Sequence, residues 1–296
     1  MSEEPVIRVT DLVKQFDDQI VLNGVNLDVF PGETMVVMGG SGSGKSTLLR
    51  CMIGALRINS GDVTLLGRRL SELTEDGLNE IRKKIGILFQ SGALFNSMTV
   101  AENVALPLQE HTMLDQNIID IQVKIKLELV GLREHGDKYP AQISGGMKKR
   151  AGLARALALD PHVLFYDEPS AGLDPVTSAE IDRLIIDLAK KLGVTSVVVT
   201  HEMDSAFSVG DRMGMLERGR MLMVDTREAF EQLRDFPAEQ LDELDDRQLT
   251  IRQFLRGDAE GPITRRKAAT DYAEDLLGGA AIIGDTPAVE PTRSVK

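Results

Sequence analysis

Short apolar runs alternate along this chain with amphipathic stretches, and the two periods assign the elements. Val6 to Val9 and Thr34 to Met38 are rich in β-branched residues and read as strands. Asn23 to Val29 alternates apolar and polar positions, the pattern of a half-buried strand. Met35 to Met38, Ile85 to Phe89, Val163 to Tyr166 and Thr195 to Thr200 are apolar nearly throughout, which suits strands covered on both faces. Helical spacing predicts Lys45 to Ala55, Asn117 to Val130, Met147 to Leu159 and Thr177 to Lys191 as helices. Asn59-Ser60-Gly61 is a turn before the strand Asp62 to Leu66, and Met213 to Leu216 with Met221 to Val224 predicts a hairpin around Arg218-Gly219. The strand–helix–strand order from Val163 to Thr200 argues a largely parallel core sheet of α/β class. Between about Thr99 and Ala158 the character turns helical, as in an insert carried by the sheet domain.

Beyond about Glu228 the composition shifts. Asp242, Glu243, Asp245 and Asp246 cluster, and then Ile251, Phe254 and Leu255 fall at i, i+3 and i+4 on one helical face. One short helix cannot bury such a face alone, so it packs on its own subunit or on another. Tyr272 to Leu277 is a short helix candidate, and the Gly/Ala/Pro-rich end from about Gly278 reads as a poorly ordered tail. The expected division is a main domain over 5–230 with the helical insert at about 95–160, an extension over 231–277, and the tail over 278–296.

At 296 residues the chain can bury one or two real cores. A net charge of -12 disfavours non-specific attraction to nucleic acid or anionic lipid. The single cysteine, Cys51, excludes an internal disulfide framework and fits a reducing compartment. No run of 18 uncharged apolar residues occurs, so no membrane-spanning helix is expected. The N-terminal stretch MSEEPVIRVTD is acidic and holds no apolar targeting run, so membrane work is expected to go through a partner.

The chemistry begins at Gly39-Gly40-Ser41-Gly42-Ser43-Gly44-Lys45-Ser46, a complete strand–loop–helix phosphate motif. Its glycines let backbone N–H groups turn inward, and the helix after Gly44 adds its positive end. Lys45 suits the β- and γ-phosphates, and the Ser46 hydroxyl suits Mg²⁺. A plain glycine-rich turn opening a helix would not need lysine and serine in this register. The apolar run Val163 to Tyr166 delivers Asp167, a metal carboxylate, and Glu168, which can orient or deprotonate a water. Parallel strands deliver their C-terminal ends to one edge, which brings His201 and Gln90 to the same place. His201 is the expected holder of phosphate and water, and Gln90 a metal or water ligand. Ser144-Gly145-Gly146, opening a helix, forms a second anion-binding end. One nucleotide needs only one phosphate loop, so this second site suits a partner's nucleotide; an ordinary helix N-cap is the alternative.

This ordered set resembles the ATPase subunit of an ATP-binding cassette (ABC) transporter, over roughly residues 5 to 230. The resemblance implies a P-loop NTPase core with a mostly parallel central sheet, an antiparallel β subdomain, an inserted α-helical subdomain and a C-terminal extension. It implies ATP and Mg²⁺ as cofactors, with the phosphate loop running from Gly39 through Thr47, a Q-loop at Gln90 and a switch histidine at His201. It aligns Phe16 with the aromatic that stacks on adenine and Asp174 with the end of the D-loop. Ile143-Ser144-Gly145-Gly146-Met147 stands where the family usually has LSGGQ, with the serine and both glycines kept. Catalysis is then expected from Glu168, His201 and Lys45, with metal ligation from Ser46, Gln90 and Asp167.

The run Gln90 to Phe95 into Thr99 to Val104, the stretch Ser144 to Arg150, and the tail Ile251 to Gly257 are similar to the Mla-type subgroup. That subgroup consists of the ATPases of phospholipid-trafficking transporters. It implies three partners, namely a second copy of the chain, a multi-spanning permease and an MCE-domain protein, at the cytoplasmic face of the inner membrane. The permease is expected to dock on the helical insert near Asn96 to Pro107. Tails in the subgroup reach across the dimer; on that reading, truncation after about Thr226 spares the isolated fold. A cassette serving amino acids or lipoprotein release would carry the same catalytic residues. A soluble clamp on nucleic acid or ribosomes is the reading from another class. It fits poorly with one cassette, a short insert and an acidic balance.

Overall fold

The computed structural model describes residues 4–264. Strands β1 (Ile7–Phe16) and β2 (Gln19–Val29) form a hairpin, and β3 (Thr34–Met38) leads through the phosphate motif to helix α1 (Lys45–Met52). Strands β4 (Ser60–Leu65) and β5 (Arg68–Arg69) precede α2 (Glu75–Arg82) and β6 (Ile85–Leu88). Three helices follow: α3 (Val100–His111), α4 (Gln116–Leu129) and α5 (Gly145–Ala156). The chain returns with β7 (Val163–Asp167), α6 (Pro175–Leu192), β8 (Thr195–Thr200) and α7 (Met203–Val209). Strands β9 (Arg212–Glu217) and β10 (Arg220–Thr226) close the hairpin, and α8 (Arg227–Arg234) and α9 (Asp246–Arg256) complete the described chain.

Two sheets form, a four-stranded one ordered β2-β1-β4-β5 and a six-stranded one ordered β10-β9-β3-β8-β7-β6. The first is antiparallel throughout. In the second, β9, β3, β8, β7 and β6 run parallel and β10 pairs antiparallel with β9. The expected α/β architecture is therefore the observed one. Period-2 alternation splits the core into two layers. Met35, Val37, Phe165, Val197 and Val199 pack with α1 and the antiparallel sheet. Their neighbours Val36, Met38, Leu164, Tyr166 and Val198 pack with the helical insert and α7.

Some elements lie beyond the sequence reading. β1 continues past Val9 to Phe16, with register shifts between Val9 and Val13 that bend it. Most of the stretch Asn96 to Pro107, the expected permease dock, falls in helix α3, whose start is a capping box: Thr99 Oγ1 accepts from Glu102 N–H and the Glu102 carboxylate accepts from Thr99 N–H. Val104 is fully buried there, whereas Phe95 is exposed with the Arg155 guanidinium over its ring.

Within the described residues the extension packs on its own subunit. Ile251 and Leu255 of α9, with Phe230 of α8, are buried in the subunit's own larger core, and Phe254 packs against it. Arg252 donates two hydrogen bonds to the Phe236 carbonyl, tying α9 to the turn after α8. The apolar face of α9 is thus spent within its own chain, and truncation after Thr226 would strip core residues. Tyr272 to Leu277 and the tail from Gly278 lie outside the described residues.

Candidate functional site

The parallel strands place their C-terminal ends on one edge, and the predicted chemistry gathers there. Strand β3 ends at Met38, directly before the loop. Gly39 touches the backbone of Leu216 so closely that an added Cβ would stand 2.1 Å from the Leu216 carbonyl oxygen, so only glycine fits. Gly44 caps α1 without a side-chain bond, leaving the first N–H groups of the helix free for an anion. Lys45 folds back on its own loop, its Nζ donating to the carbonyls of Gly39 at 2.8 Å and Gly40 at 2.9 Å. Burial pulls the Lys45 ammonium below the ordinary lysine range, opposed by the fields of Glu168, Asp167 and Glu217. The Ser43 hydroxyl is buried with no hydrogen-bond partner among the described residues.

Strand β7 ends on Asp167, whose Oδ1 accepts from the Ser46 hydroxyl at 3.0 Å. Glu168 follows with φ +51, a left-handed backbone that is uncommon for a residue with a side chain. Its Oε1 lies 2.9 Å from His201 Nδ1 and 4.0 Å from Lys45 Nζ. Its Oε2 accepts from the His201 backbone N–H at 3.3 Å. A cavity of about 450 Å³ joins these groups. Ser41, Gly42, Gly44, Lys45, Ser46 and Thr47 form one wall; Gln90, Glu168 and His201 form the other. Val21 of β2 also lines it; it lies two residues before the predicted strand Asn23 to Val29, which the structure extends back to Gln19.

Gly39, Gly40, Ser43 and Asp167 do not line the cavity but adjoin lining residues along the chain, whereas Ser144, Gly145, Gly146, Asp174 and Phe16 belong to other segments. Phe16 is exposed, with Lys14 Nζ 4.6 Å from its ring centroid. Ser144 caps α5, its Oγ accepting from Met147 N–H at 3.3 Å, and Ser144 and Gly145 are exposed. Gly146 is buried, and a Cβ on it would stand 2.5 Å from Thr177 Cγ2, so its small size is also a packing requirement against α6. Asp174 caps α6, accepting from the N–H groups of Val176 and Thr177 and from the Thr177 hydroxyl. Those bonds, the hydroxyl's first, hold its carboxyl below the usual range.

The ABC transporter family profile matches residues 22–171, which include the loop, the two carboxylates and Ser144-Gly145-Gly146. The chain belongs to the ABC transporter family. This ABC ATPase is 37% identical over 272 residues to the intermembrane phospholipid transport system ATP-binding protein MlaF of Haemophilus influenzae, covering 92% of this chain and 98% of that one. Against MlaF of Escherichia coli K12 the identity is 38% over 263 residues, covering 89% and 93%. A probable ribonucleotide transport ATP-binding protein, mkl, of Mycobacterium leprae is 41% identical over 288 residues, covering 96% of this chain and 79% of that one. Among solved structures, cbiO1 of Clostridium perfringens, part of the transporter complex cbiONQ, superposes with a TM-score of 0.71 at 29% identity, covering 82% and 100%. The ATP-binding cassette MJ0796, in a dimeric post-hydrolysis state bound to ADP and Pi, superposes with a TM-score of 0.69 at 31% identity, covering 75% and 98%. The family, the fold and the ATPase activity expected from the motifs are therefore borne out, as is the Mla-type resemblance.

Proposed function

We propose that two copies of this ABC ATPase close face to face on two ATP molecules and so drive a permease that moves phospholipid between membranes. The observation that carries the catalytic part is the grip of His201 on both oxygens of Glu168 at the wall of the loop cavity. The loop N–H groups and the α1 N-terminus bind phosphate, and Lys45 exchanges its two carbonyl partners for phosphate oxygens. Glu168 takes the proton of the attacking water, and His201 keeps the carboxylate aimed. Phe16 stacks on the base. Ser46 and Asp167, already 3.0 Å apart, fit Mg²⁺, with Gln90 beside them. Among the described residues no three His, Cys, Asp or Glu side chains gather to cage a metal alone. That suits an ion held by one or two protein groups plus phosphate and water. When bound, it neutralises charge on the transferred phosphate.

Exposed Ser144 and Gly145 have no role at the chain's own loop. Across a closed dimer they cap the partner's nucleotide, with Gly146 and Asp174 at the same interface. The closed state then gains phosphate contacts that the open state lacks, and this difference drives the cycle. No helix among the described residues is long and apolar enough to cross a membrane, so a permease must carry the path. Its docking site is the groove of about 840 Å³ between α2 and the insert, where exposed Phe89 and His111 and half-buried Pro107 meet Lys83 and Arg155. The assembly sits at the cytoplasmic face of the inner membrane, and an MCE-domain protein receives or delivers the lipid.

Phospholipid as cargo rests on the MlaF relatives, which match along nearly their whole length. The mycobacterial relatives are named for ribonucleotide transport, a second cargo to be tested. The chain assembled with its permease partner and placed in liposomes should move a fluorescent phospholipid only with ATP and Mg²⁺. Movement of a labelled ribonucleotide and not of lipid would overturn the cargo. Absence of an ATP-trapped dimer in Glu168→Gln would overturn the closing reaction.

A further inference from the structure

A buried lysine with no role assigned above touches the catalytic carboxylate's own backbone. Lys149 lies on α5, five residues beyond Ser144, and is buried. Its Nζ donates to the Glu168 carbonyl oxygen at 2.9 Å. Lysine is almost never buried unless paired, so the position calls for a reason. Burial pulls the Lys149 ammonium below the ordinary lysine range, and the fields of Glu168, Glu202 and Asp167 oppose that pull.

The reason lies in the backbone of Glu168. Its φ of +51 is a strained setting for a residue with a side chain, and it persists only where neighbours hold it. The Glu168 N–H is held by the Val199 carbonyl at 2.9 Å. The carbonyl is held by Ala171 N–H at 3.3 Å and more closely by Lys149. Val199, Ala171 and His201 all belong to the sheet domain. Lys149 alone among these partners comes from the helical insert. The same helix is fastened further along by Arg155, which donates to the carbonyls of Ala93 and Gly92 in the loop after Gln90.

Ser144 and Lys149 are separated by roughly 7.5 Å of one rigid helix, at 1.5 Å per residue. A shift of the Ser144 end therefore moves Lys149 with it. We propose that Lys149 is a positioning residue that poises Glu168 only when α5 is seated, so that ATP on the partner subunit's loop, by engaging Ser144 of this chain, licenses hydrolysis at this chain's own loop. The inference rests on the two-copy reading above and adds to it a physical link between the two sites. The bond from Lys149 is the link, and α5 is the element that both sites bias.

The test uses the full-length chain, with steady-state hydrolysis against ATP concentration and a fluorescent ATP analogue for affinity. Lys149→Met should lower kcat about tenfold or more while analogue affinity stays within about twofold, the split expected of a group acting in the chemical step. The Hill coefficient should fall from near about 2 towards 1 as the sites uncouple. Lys149→Arg keeps a charged donor and should restore most of kcat and the cooperativity. If Lys149→Met loses nucleotide binding through misfolding, Lys149→Leu, which also lacks a donor, is judged by the same readouts. Wild-type kcat and cooperativity in the donor-removing variant overturn the proposal. So does an equal loss in Lys149→Arg, or a wild-type Hill coefficient of 1. Glu168→Gln separates the levels. A hydrolysing Glu168→Gln sinks the site assignment itself, whereas an inert one beside a normal Lys149→Met sinks only the link.

Discussion

His201 meets Glu168 twice, through Nδ1 at 2.9 Å to Oε1 and through its backbone N–H at 3.3 Å to Oε2. The backbone bond survives any substitution, so His201→Ala removes one of two grips. It should lower kcat by about 10- to 100-fold with little change in ATP affinity. Glu168→Gln removes the base and should be slower still, with ATP-bound dimer accumulating. Phosphate release and size-exclusion chromatography with ATP read both outcomes. Normal turnover in Glu168→Gln would strip that residue of its role.

Lys45→Ala behaves differently. The ammonium is held by two loop carbonyls, ready to be exchanged for phosphate oxygens. Its loss should weaken ATP binding by about tenfold or more, since charge-assisted contacts are the strong ones. A fluorescent nucleotide titration checks this, and unchanged affinity would refute it.

Gly146 and Thr177 form a steric pair. A Cβ on Gly146 would stand 2.5 Å from Thr177 Cγ2, so Gly146→Ala should cost about 1–3 kcal/mol. Thr177→Ser removes that methyl and keeps the hydroxyl that serves Asp174. The double variant should regain most of the lost stability in urea unfolding, and an equally unstable double variant would disprove the clash.

The extension should stabilise its own subunit. Phe230 is fully buried, and Phe230→Ala should cost about 3–5 kcal/mol. Truncation after Thr226 removes Phe230, Ile251 and Leu255 together and should lower the melting temperature at concentrations where the chain is monomeric. An unchanged melting temperature would return the crossing reading to favour.

Burial pushes the Cys51 thiol up to about 11. The unfolded thiol ionises near 9.0, so the unfolded state loses its proton first as pH rises. Stability from this group is complete below pH 9 and is lost between about 9 and 11, by about 2–3 kcal/mol. Cys51→Ala should have a shallower alkaline decline in melting temperature than the native chain. The native thiol should resist alkylation at neutral pH, and rapid labelling of folded protein would show the site to be open.

Much of this protein was legible along the chain because the deciding physics is local. A phosphate cradle needs glycines, a lysine and a serine in consecutive positions, and Gly39 to Ser46 supplies them in one stretch. Doubly covered strands must be apolar throughout, so β3, β7 and β8 stand out, and a parallel sheet then brings Glu168, Gln90 and His201 to one edge. The Thr99 and Glu102 capping box was also local, yet α3 passed unread because those residues stood out first as a family signature. What only the tertiary structure decided depends on approach between distant segments. Lys149 sits on a helix where a charge would ordinarily face water, and only the packing of α5 beside β6 brings it to the Glu168 carbonyl. The i, i+3, i+4 face of α9 announces that it must be covered but carries no sign of which surface covers it; the answer is the core that Phe230 of α8 shares with Ile251 and Leu255. Periodicity fixes which side of an element is buried, because that depends on neighbours along the chain. It cannot name the partner, because that depends on the shape of everything else.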